Sequence, residues 1–359
     1  MSISTCKRAF ACGLATAVVV ATPVAAAPTD ARRARMGVRY LVTHQSTADG
    51  SFPGFSARGS TADAVVAMVA ARRAPDAIED ALDYLELNTG SASLGQKAKL
   101  VLAAVAGGRD PRAFGGVNLV REIKKSQTPE GQYLDPFPDN AEPYTHALSM
   151  LALHAAGANA SLDAAQWLAD AQCGDGGWQF DAPDEQTDDE HCYEGDGDFT
   201  LSDSNTTAYA VMALEHAPDV TLPSSPFSYF KDARDDARGG WKYDHRRSPF
   251  GFRSYTDANS TSLVLQAFKA RGKAAPSGSR DALRDLQYEL CGDTAGAFAY
   301  TWTRTNGKWS RSPTRRDAEL GGATSVGATI AAIPGVLGRS LPIPSHDVAQ
   351  PAPARPDCG

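Results

Sequence analysis

The sequence predicts an all-α fold, an α6/α6 double-layered toroid of six helix pairs. First, an apolar anchor of an amphipathic helix recurs six times along the chain. Second, a turn that contains Gly and ends in an aromatic residue follows most of these anchors. Third, each unit has a second helix that is richer in Ala and less charged. A helix that is apolar nearly all round is buried, so the second helices form the inner layer.

The first helix of each pair is predicted from apolar residues at a period of 3.6, and it forms the outer layer. Its turn uses Gly for a tight reversal and an aromatic residue that caps the helix end against the next repeat. The anchors are Leu41, Leu85, Ile123, Leu168, Phe230 and Leu286. The turns are residues 43–52, 125–133, 170–181, 236–244 and 291–300, and the second repeat lacks the aromatic residue.

The second helix of each pair is predicted from small and apolar residues. The fourth of these helices begins at Asp203-Ser204-Asn205-Thr206-Thr207, a cluster of good N-cap residues. A pair of helices cannot bury its apolar faces alone, so the pairs need neighbours and six of them can close into a ring. The predicted inner helices are residues 60–72, 93–107, 143–157, 203–217, 257–272 and 321–335.

The two ends of the chain differ from the repeats. Residues 1–26 are typical of a secretory signal peptide, with basic residues before an apolar run and Val24-Ala25-Ala26 as the cleavage site. The apolar run is too short to span a membrane, so we expect a secreted, periplasmic or extracellular protein that is not transmembrane. The toroid then occupies residues 27–338, and the Pro-rich residues 339–359 form an extended tail.

The net charge limits the possible binding partners, and the cysteine content predicts disulfide bonds. Removal of the signal peptide takes away Lys7 and Arg8, which changes the formal charge from -7 to -9. This mild acidity argues against nucleic acid or an anionic membrane as a partner. Four cysteines remain, and among three pairings we favour a Cys173–Cys192 bridge and a Cys291–Cys358 bridge. The first bridge would close an acidic loop, and the second would pin the tail.

The turns give the chain a resemblance to the terpene cyclase and protein prenyltransferase repeat superfamily, which is squalene cyclase-like. Its members carry a Gln-x-x-Asp-Gly-Gly-Trp turn, which residues 172–178 match and Arg238-Gly239-Gly240-Trp241 matches less fully. The resemblance covers nearly all of residues 31–336 and implies an α/α toroid. It implies no single activity, because members cyclise isoprenoids, attach prenyl groups to proteins, bind cobalamin or have no assigned chemistry.

The sequence departs from the catalytic patterns of that superfamily. Class II cyclases carry an Asp-x-Asp-Asp acid at the start of an inner helix, where this chain has Asp203-Ser204-Asn205-Thr206 and Asp257-Ala258-Asn259-Ser260. An Asn cannot protonate an alkene, and each remaining Asp lacks a paired carboxylate. Zinc-dependent prenyltransferases act in the cytosol, whereas this chain is predicted to be exported. Cobalamin transporters add a C-terminal β domain that this sequence does not show.

Four polar residues at the starts of inner helices are the first candidate site residues: Asp203, Asn205, Asp257 and Asn259. One interpretation is capping, in which each side chain accepts hydrogen bonds from free backbone N–H groups. The other interpretation is functional. Inner helices that run in one direction gather their N-termini at one mouth of the toroid, where polar side chains line an entrance. Asp203 and Asp257 are then also the candidate acids of a cyclase.

The acidic loop at residues 181–203 is the second candidate. Its carboxylates, with no Lys or Arg among them, repel each other unless a positive charge lies nearby. One source is Ca²⁺ held by Asp196 and Asp198, although the spacing is not that of an EF-hand, and no other cofactor is expected. The other source is the basic loops of repeats five and six, which include His245 and Arg246. If those cations face the mouth instead, they suit a phosphate or carboxylate ligand.

The remaining catalytic candidates are Asp181, Asp244 and His146. Asp181 and Asp244 follow the aromatic turns at equivalent places, which favours a repeated structural role over a carboxylate pair. His146 lies on a predicted inner helix and is the best lone titratable candidate inside the toroid. A lone His on an apolar helix is more often a packed core residue.

The function that the sequence favours is non-catalytic. We expect a ligand- or partner-binding module that uses the loops of repeats four to six to bind a small molecule or a cell-envelope partner. The alternative is an enzyme, first a terpene cyclase or isomerase that acts on an isoprenoid, and second a polysaccharide-degrading toroid. In the second case Trp178 and Trp241 would line the cleft beside Asp181 and Asp244.

Overall fold

The fold is a closed double ring of helices. A computed structural model describes residues 29–135, 143–180, 192, 201–244, 255–289, 292, 294–305, 308–312 and 323–354. The outer helices are α1 (Asp30–Val42), α3 (Pro75–Leu87), α5 (Leu119–Lys125), α7 (Leu162–Asp170), α9 (Pro226–Asp232) and α11 (Ser279–Asp285). The inner helices are α2 (Ala57–Ala71), α4 (Leu94–Ala106), α6 (Pro143–Ala155), α8 (Ser204–Glu215), α10 (Ala258–Ala270) and α12 (Ala323–Val336). This alternation confirms the predicted toroid of six helix pairs.

The predicted anchors lie where each outer helix meets the core. Five of them fall within outer helices, and Leu286 is the C-cap of α11. All six anchors are at most 1% exposed. The Ala-rich helices occupy the inner layer because small side chains let neighbouring helices approach closely. Gly335 of α12 illustrates this packing, since a Cβ at that position would collide with Ser262 of α10.

The ring of inner helices closes on itself. Each inner helix packs against the next, and α12 packs against both α10 and α2. Outside this joint, α1 packs against α12 and α2. Arg284 of α11 donates to both carboxylate oxygens of Asp30 at the start of α1, at 2.6 and 2.7 Å. Gly296, with a φ of 86°, abuts the Met36 carbonyl so closely that no Cβ would fit. The last repeat therefore packs directly against the first repeat.

The same kind of hydrogen bond occurs in five aromatic turns. In each turn the backbone N–H of the aromatic residue donates to a side chain on the following inner helix, at 2.8–3.0 Å. The pairs are Phe52 with Thr61, Tyr133 with His146, Trp178 with Thr207, Trp241 with Thr261, and Phe298 with Thr329. Gln172 of the fourth turn also donates to the Gly176 carbonyl and accepts from the Ser224 N–H, both at 2.9 Å. These bonds tie each turn to the helix that follows.

Among the described residues, two short antiparallel strand pairs accompany the helices, and the all-α prediction omitted them. β1 (Trp178–Gln179) pairs antiparallel with β2 (Ser202–Asp203). β3 (Thr301–Thr305) pairs antiparallel with β4 (Lys308–Ser312). The sequence signal for the second hairpin is Asn306-Gly307, a favoured hairpin turn, between segments rich in Thr and Trp. A bridge between Thr301 and Asp257 places this hairpin beside the start of α10.

The Pro-rich tail lies at the end of the toroid where the inner helices terminate. Residues 339–354 contain no helix or strand. Leu341 and Ile343 are buried in the core, and the Gln350 carbonyl accepts a hydrogen bond from the Ala74 N–H at 2.9 Å. Because Ala74 follows the C-terminal end of α2, the tail lies opposite the end where the inner helices begin.

Among the described residues, Cys173 and Cys192 form a disulfide, as the sequence predicted. The bridge joins the turn after α7 to the acidic loop that precedes β2. Cys291 and Cys358 lie outside the described residues, so the second bridge stays a prediction.

Removal of this disulfide should lower stability. A Cys173→Ser, Cys192→Ser double variant opens a loop with a sequence separation of 19 residues. The chain entropy of such a loop corresponds to a loss of about 3 kcal/mol in the free energy of unfolding. We expect urea unfolding to shift to a lower midpoint, and reduced wild-type protein to shift by a similar amount. Coincident curves for oxidised wild type and the variant would contradict this prediction.

Candidate functional site

The inner helices begin at one end of the toroid, which we call the inner-helix mouth. Each inner helix reverses the direction of its outer partner, so the six N-terminal ends collect on the same side of the ring. The first N–H groups of these helices lack partners within the helix and favour acceptors. Ser56, Ser93, Asp203 and Asp257 cap α2, α4, α8 and α10 there.

The Asp203 side chain caps the N-terminus of α8. Its Oδ1 accepts from the backbone N–H groups of Asn205 and Thr206, both at 2.8 Å. Its Oδ2 accepts from the Thr206 hydroxyl at 2.7 Å. The residue is 1% exposed, and its backbone is fixed opposite Trp178 by the β1–β2 pairing. Asp203 is therefore a buried helix cap.

Burial changes the protonation of Asp203. It raises the pKa of this carboxyl to about 7, although the hydrogen bonds from Thr206 and Asn205 act to lower it. The nearby Asp244 carboxylate adds to the rise. A carboxyl that keeps its proton in mildly acidic solution meets one chemical requirement of a cyclase acid. At 1% exposure, however, this residue offers a substrate almost no surface to contact.

Asp257 repeats this arrangement at α10. Its Oδ1 accepts from the Ser260 N–H at 2.7 Å, and the residue is 3% exposed. Asn205 and Asn259 lie at equivalent positions, each two residues beyond the Asp. Both amide oxygens are buried and have no hydrogen-bond partner among the described residues. A buried acceptor without a donor costs free energy, so these positions favour a ligand that brings a donor.

Trp178 and Trp241 do not line a cleft. They are 0% and 1% exposed. Each indole N–H donates to an outer-helix carbonyl at 2.7 Å, that of Leu168 for Trp178 and that of Phe230 for Trp241. The turn directs each indole between the two helix layers, so a packing role replaces the ligand contact that the sequence suggested.

Several predicted site residues lie outside the described residues: Asp181, Asp196, Asp198, His245 and Arg246. The Ca²⁺ site and the ligand contacts expected of these residues stay predictions. Asp244 is described and half-buried, and its carboxylate acts on the pKa of Asp203. Within the described ranges, no group of three or more His, Cys, Asp or Glu side chains is arranged to hold a metal ion.

His146 has a structural role. Its Nδ1 accepts from the Tyr133 N–H at 3.0 Å, so its proton is on Nε2, which donates to the Ala164 carbonyl at 2.9 Å. The ring packs against Tyr133 and Trp167 and is 0% exposed. Burial lowers the pKa of this imidazole to about 4, although the bond to Ala164 opposes the change. His146 therefore fills the position that Thr holds in the other aromatic repeats.

Four side chains that the sequence did not single out meet on successive inner helices, and we call them the lumen cluster. Asp63 is on α2, Lys99 on α4, Tyr144 on α6 and Tyr209 on α8. The Lys99 Nζ donates to Asp63 Oδ2 at 2.7 Å and is also hydrogen-bonded to the Tyr144 side chain. The ring of Tyr144 meets that of Tyr209 edge-on, with 5.3 Å between centroids.

The lumen cluster faces the open centre of the ring. The side chains of Asp63 and Lys99 are 41% and 20% exposed, although both lie well inside their helices. Helix α2 is covered by α1, α3, α4 and α12, and helix α4 by α2, α3, α5 and α6. The lumen is the side that these neighbours leave uncovered.

The charges of the lumen cluster balance. Burial lowers the pKa of the Lys99 ammonium, but the Asp63 carboxylate outweighs it and holds this pKa well above its usual range. Burial raises the pKa of the Tyr144 and Tyr209 hydroxyls. At neutral pH the cluster thus has one cation, one anion and two neutral hydroxyls. Its sequence signal is a charged residue near the middle of each of two mostly apolar helices, Asp63 in α2 and Lys99 in α4, since a charge is expensive to bury.

No protein-family model and no curated protein sequence matches this chain. Within the part of the chain that the structure describes, no helix has the length and apolar character needed to cross a bilayer. Solved structures do match, and their likeness extends along most of the chain.

Three of these solved structures are enzymes of the same architecture. A ligand-free variant of the type II terpene cyclase MstE from Scytonema has 13% identity and a TM-score of 0.55, over 86% of this chain and 96% of that chain. An inactive variant of the alpha-1,6-mannanase of Salegentibacter sp. HEL1_6, in complex with a mannotetrose, has 12% identity and a TM-score of 0.54, over 86% and 100%. An unsaturated glucuronyl hydrolase specific for heparin has 11% identity and a TM-score of 0.54, over 86% and 96%.

These comparisons show the fold of the chain. The chain is an α/α toroid with the terpene-cyclase-like fold that its repeats resemble. Because sequence identity is low throughout, the likeness concerns the fold, and function depends on this chain's own site residues.

Proposed function

We propose that this chain is an exported, non-catalytic toroid that binds a small ligand at the inner-helix mouth. The lumen cluster would form one wall of the site, and the loops of repeats four to six are the further ligand contacts that the sequence predicts. One observation carries the proposal: the Asp63–Lys99 pair is exposed to the lumen, whereas the candidate acids Asp203 and Asp257 are buried helix caps. The lumen therefore offers hydrogen bonds from a paired carboxylate and ammonium, whereas the two candidate cyclase acids are not accessible from it.

An isoprenoid substrate fits this lumen poorly. An apolar chain that covers Asp63 and Lys99 would remove water from two charges, which costs several kcal/mol even for a paired ion. A polysaccharide-degrading site has little support, because Trp178 and Trp241 are buried and do not line a cleft.

Terpene cyclase-like catalysis is the second candidate function. It is favoured by the pKa of about 7 at Asp203 and by the fold shared with MstE, which has been solved in complex with geranylgeranyl dihydroxybenzoate as its substrate. In this function Asp203 would protonate an alkene, so its carboxyl group would be indispensable.

Replacement of Asp203 separates these two functions. In Asp203→Asn, the amide oxygen still accepts from the Asn205 and Thr206 N–H groups, so the helix cap is kept. The native pKa of about 7 lies above the ordinary value of 3.8, so wild type loses stability as pH rises through 7 and the variant does not. We expect the variant to gain melting temperature relative to wild type between pH 5 and pH 8, and to keep its ligand. If wild type formed a terpene product and the variant did not, that result would support the cyclase function instead.

Native mass spectrometry of protein purified from its own culture medium tests the proposed function directly. We expect an adduct of discrete mass that is lost on denaturation. Recovery of the protein only from inside the cell would contradict export. The absence of any adduct, combined with no binding in a broad ligand screen, would contradict ligand binding.

A further inference from the structure

We propose that the lumen cluster binds a neutral saccharide, with the sugar hydroxyls bonded to Asp63, Lys99 and the two tyrosines. This inference rests on the proposed ligand-binding function and names the ligand class of that site. Four features of the described residues carry it: their position, their hydrogen-bonding capacity, their charge balance and the adjacent aromatic rings.

The position of the lumen cluster makes it a continuous wall. Its members come from α2, α4, α6 and α8, which are consecutive neighbours in the inner ring. Asn205 lies one helical turn before Tyr209 on α8, toward the inner-helix mouth, so the two side chains share a face. A ligand that enters from this mouth passes Asn205 before it reaches the cluster.

The cluster both donates and accepts hydrogen bonds. Lys99 and the two tyrosine hydroxyls donate, whereas the Asp63 carboxylate and the buried Asn205 amide oxygen accept. A sugar hydroxyl does both, so adjacent hydroxyls can bond to an anion and a cation that lie side by side. The Asn205 oxygen has no partner among the described residues, and a hydroxyl would supply the donor that it lacks.

The charge balance disfavours ionic ligands. Asp63 neutralises Lys99 at 2.7 Å, so a phosphate or carboxylate would gain one cation and meet one anion. A cationic ligand would meet the opposite problem. A neutral ligand with many hydroxyls replaces the water around both charges without breaking their pair.

Aromatic rings next to the cluster suit the apolar side of a sugar ring. Tyr144 packs against Phe180 with 5.0 Å between ring centroids and against Tyr209 with 5.3 Å. All three rings are half-buried, so part of each one is accessible. A pyranose has C–H groups on its faces and hydroxyls at its edge. Rings beside polar groups therefore match both parts of its surface.

Isothermal titration calorimetry with defined probes tests the inference. Cellotriose, maltotriose and triacetylchitotriose serve as neutral saccharides, and trigalacturonate, inorganic phosphate and geranylgeraniol serve as comparators. We expect at least one neutral trisaccharide to bind and the comparators not to compete with it. Lys99→Met should weaken binding by about tenfold or more, because it removes a charged donor and leaves Asp63 unpaired.

Two further variants keep the test independent of folding. Tyr209→Phe removes one hydroxyl but leaves the Asp63–Lys99 pair intact, and it should weaken binding by about threefold or more. Lys97→Met changes a second lysine of α4, which faces Glu122 at 3.9 Å, and it should leave binding unchanged.

Three results would overturn the inference. They are no binding by any neutral trisaccharide, equal binding by wild type and both lumen-cluster variants, and an adduct from culture medium that contains no sugar. In the last case ligand binding itself would survive, so the two proposals fail separately.

Discussion

Trp178→Ala should lower the free energy of unfolding by about 4 kcal/mol. The substitution empties a fully buried site in the core, and the loss for a buried Trp is typically 3–5 kcal/mol. It also leaves the Leu168 carbonyl without the indole N–H that reaches it at 2.7 Å. Because Trp178 pairs with Asp203 through β1 and β2, the start of α8 should loosen as well. Chemical denaturation measures the loss, and hydrogen exchange at residues 203–207 shows where it acts.

Two control variants test this interpretation. Trp178→Phe keeps an aromatic ring but removes the N–H, so it should cost about 1–3 kcal/mol. Trp302→Ala is the matched control, because Trp302 is half-buried at the surface, with Arg238 4.2 Å from its ring. It should cost less than Trp178→Ala, because Trp302 is only partly buried against the core. Equal losses for Trp178→Ala and Trp302→Ala would show that the aromatic turn is not the support inferred for it.

His146 should make the fold sensitive to acid. Its native pKa of about 4 lies below the ordinary value of 6.5, so its contribution to stability is complete above pH 6.5 and is lost as pH falls toward 4. A shift of this size corresponds to about 3 kcal/mol. Protonation of Nδ1 would also break the hydrogen bond from the Tyr133 N–H. Unfolding free energies measured in steps from pH 7 to pH 4 test this expectation.

Substitution by Thr tests the structural role of His146. The Thr hydroxyl can accept from the Tyr133 N–H, as Thr207 and Thr261 accept from their own turns. His146→Thr should therefore lose some stability at pH 7 through lost packing, and it should lose less than wild type on acidification. His146→Leu should be less stable than His146→Thr at pH 7, because the Tyr133 N–H then has no acceptor. A variant with the wild-type pH dependence would contradict the assignment.

The architecture was predictable because it repeats. Each anchor, from Leu41 to Leu286, shows the same apolar period, and each inner helix shows the same excess of Ala, so an error in one repeat is corrected by the others. The Cys173–Cys192 bridge was also predictable from its position around the acidic loop. The β3–β4 hairpin does not recur and was missed, although Asn306-Gly307 signals it.

The site was less predictable, because sequence shows residue type but not the direction of a side chain. Trp178 and Trp241 are of a residue type that often contacts ligands, yet the turn directs both indoles into the core. Asp63 and Lys99 lie in helices predicted to form the inner layer, and their pairing requires α2 and α4 to be neighbours.

The sequence by itself determined the six helix pairs, the turns that end them and the order of the two layers, because these depend on local periodicity and on residues with fixed backbone preferences. Only the tertiary structure decided that Asp203, Asp257 and His146 support the fold and that Asp63, Lys99, Tyr144 and Tyr209 face the lumen. The reason is that closure of the ring sets which face of each inner helix is covered by neighbours and which face remains open.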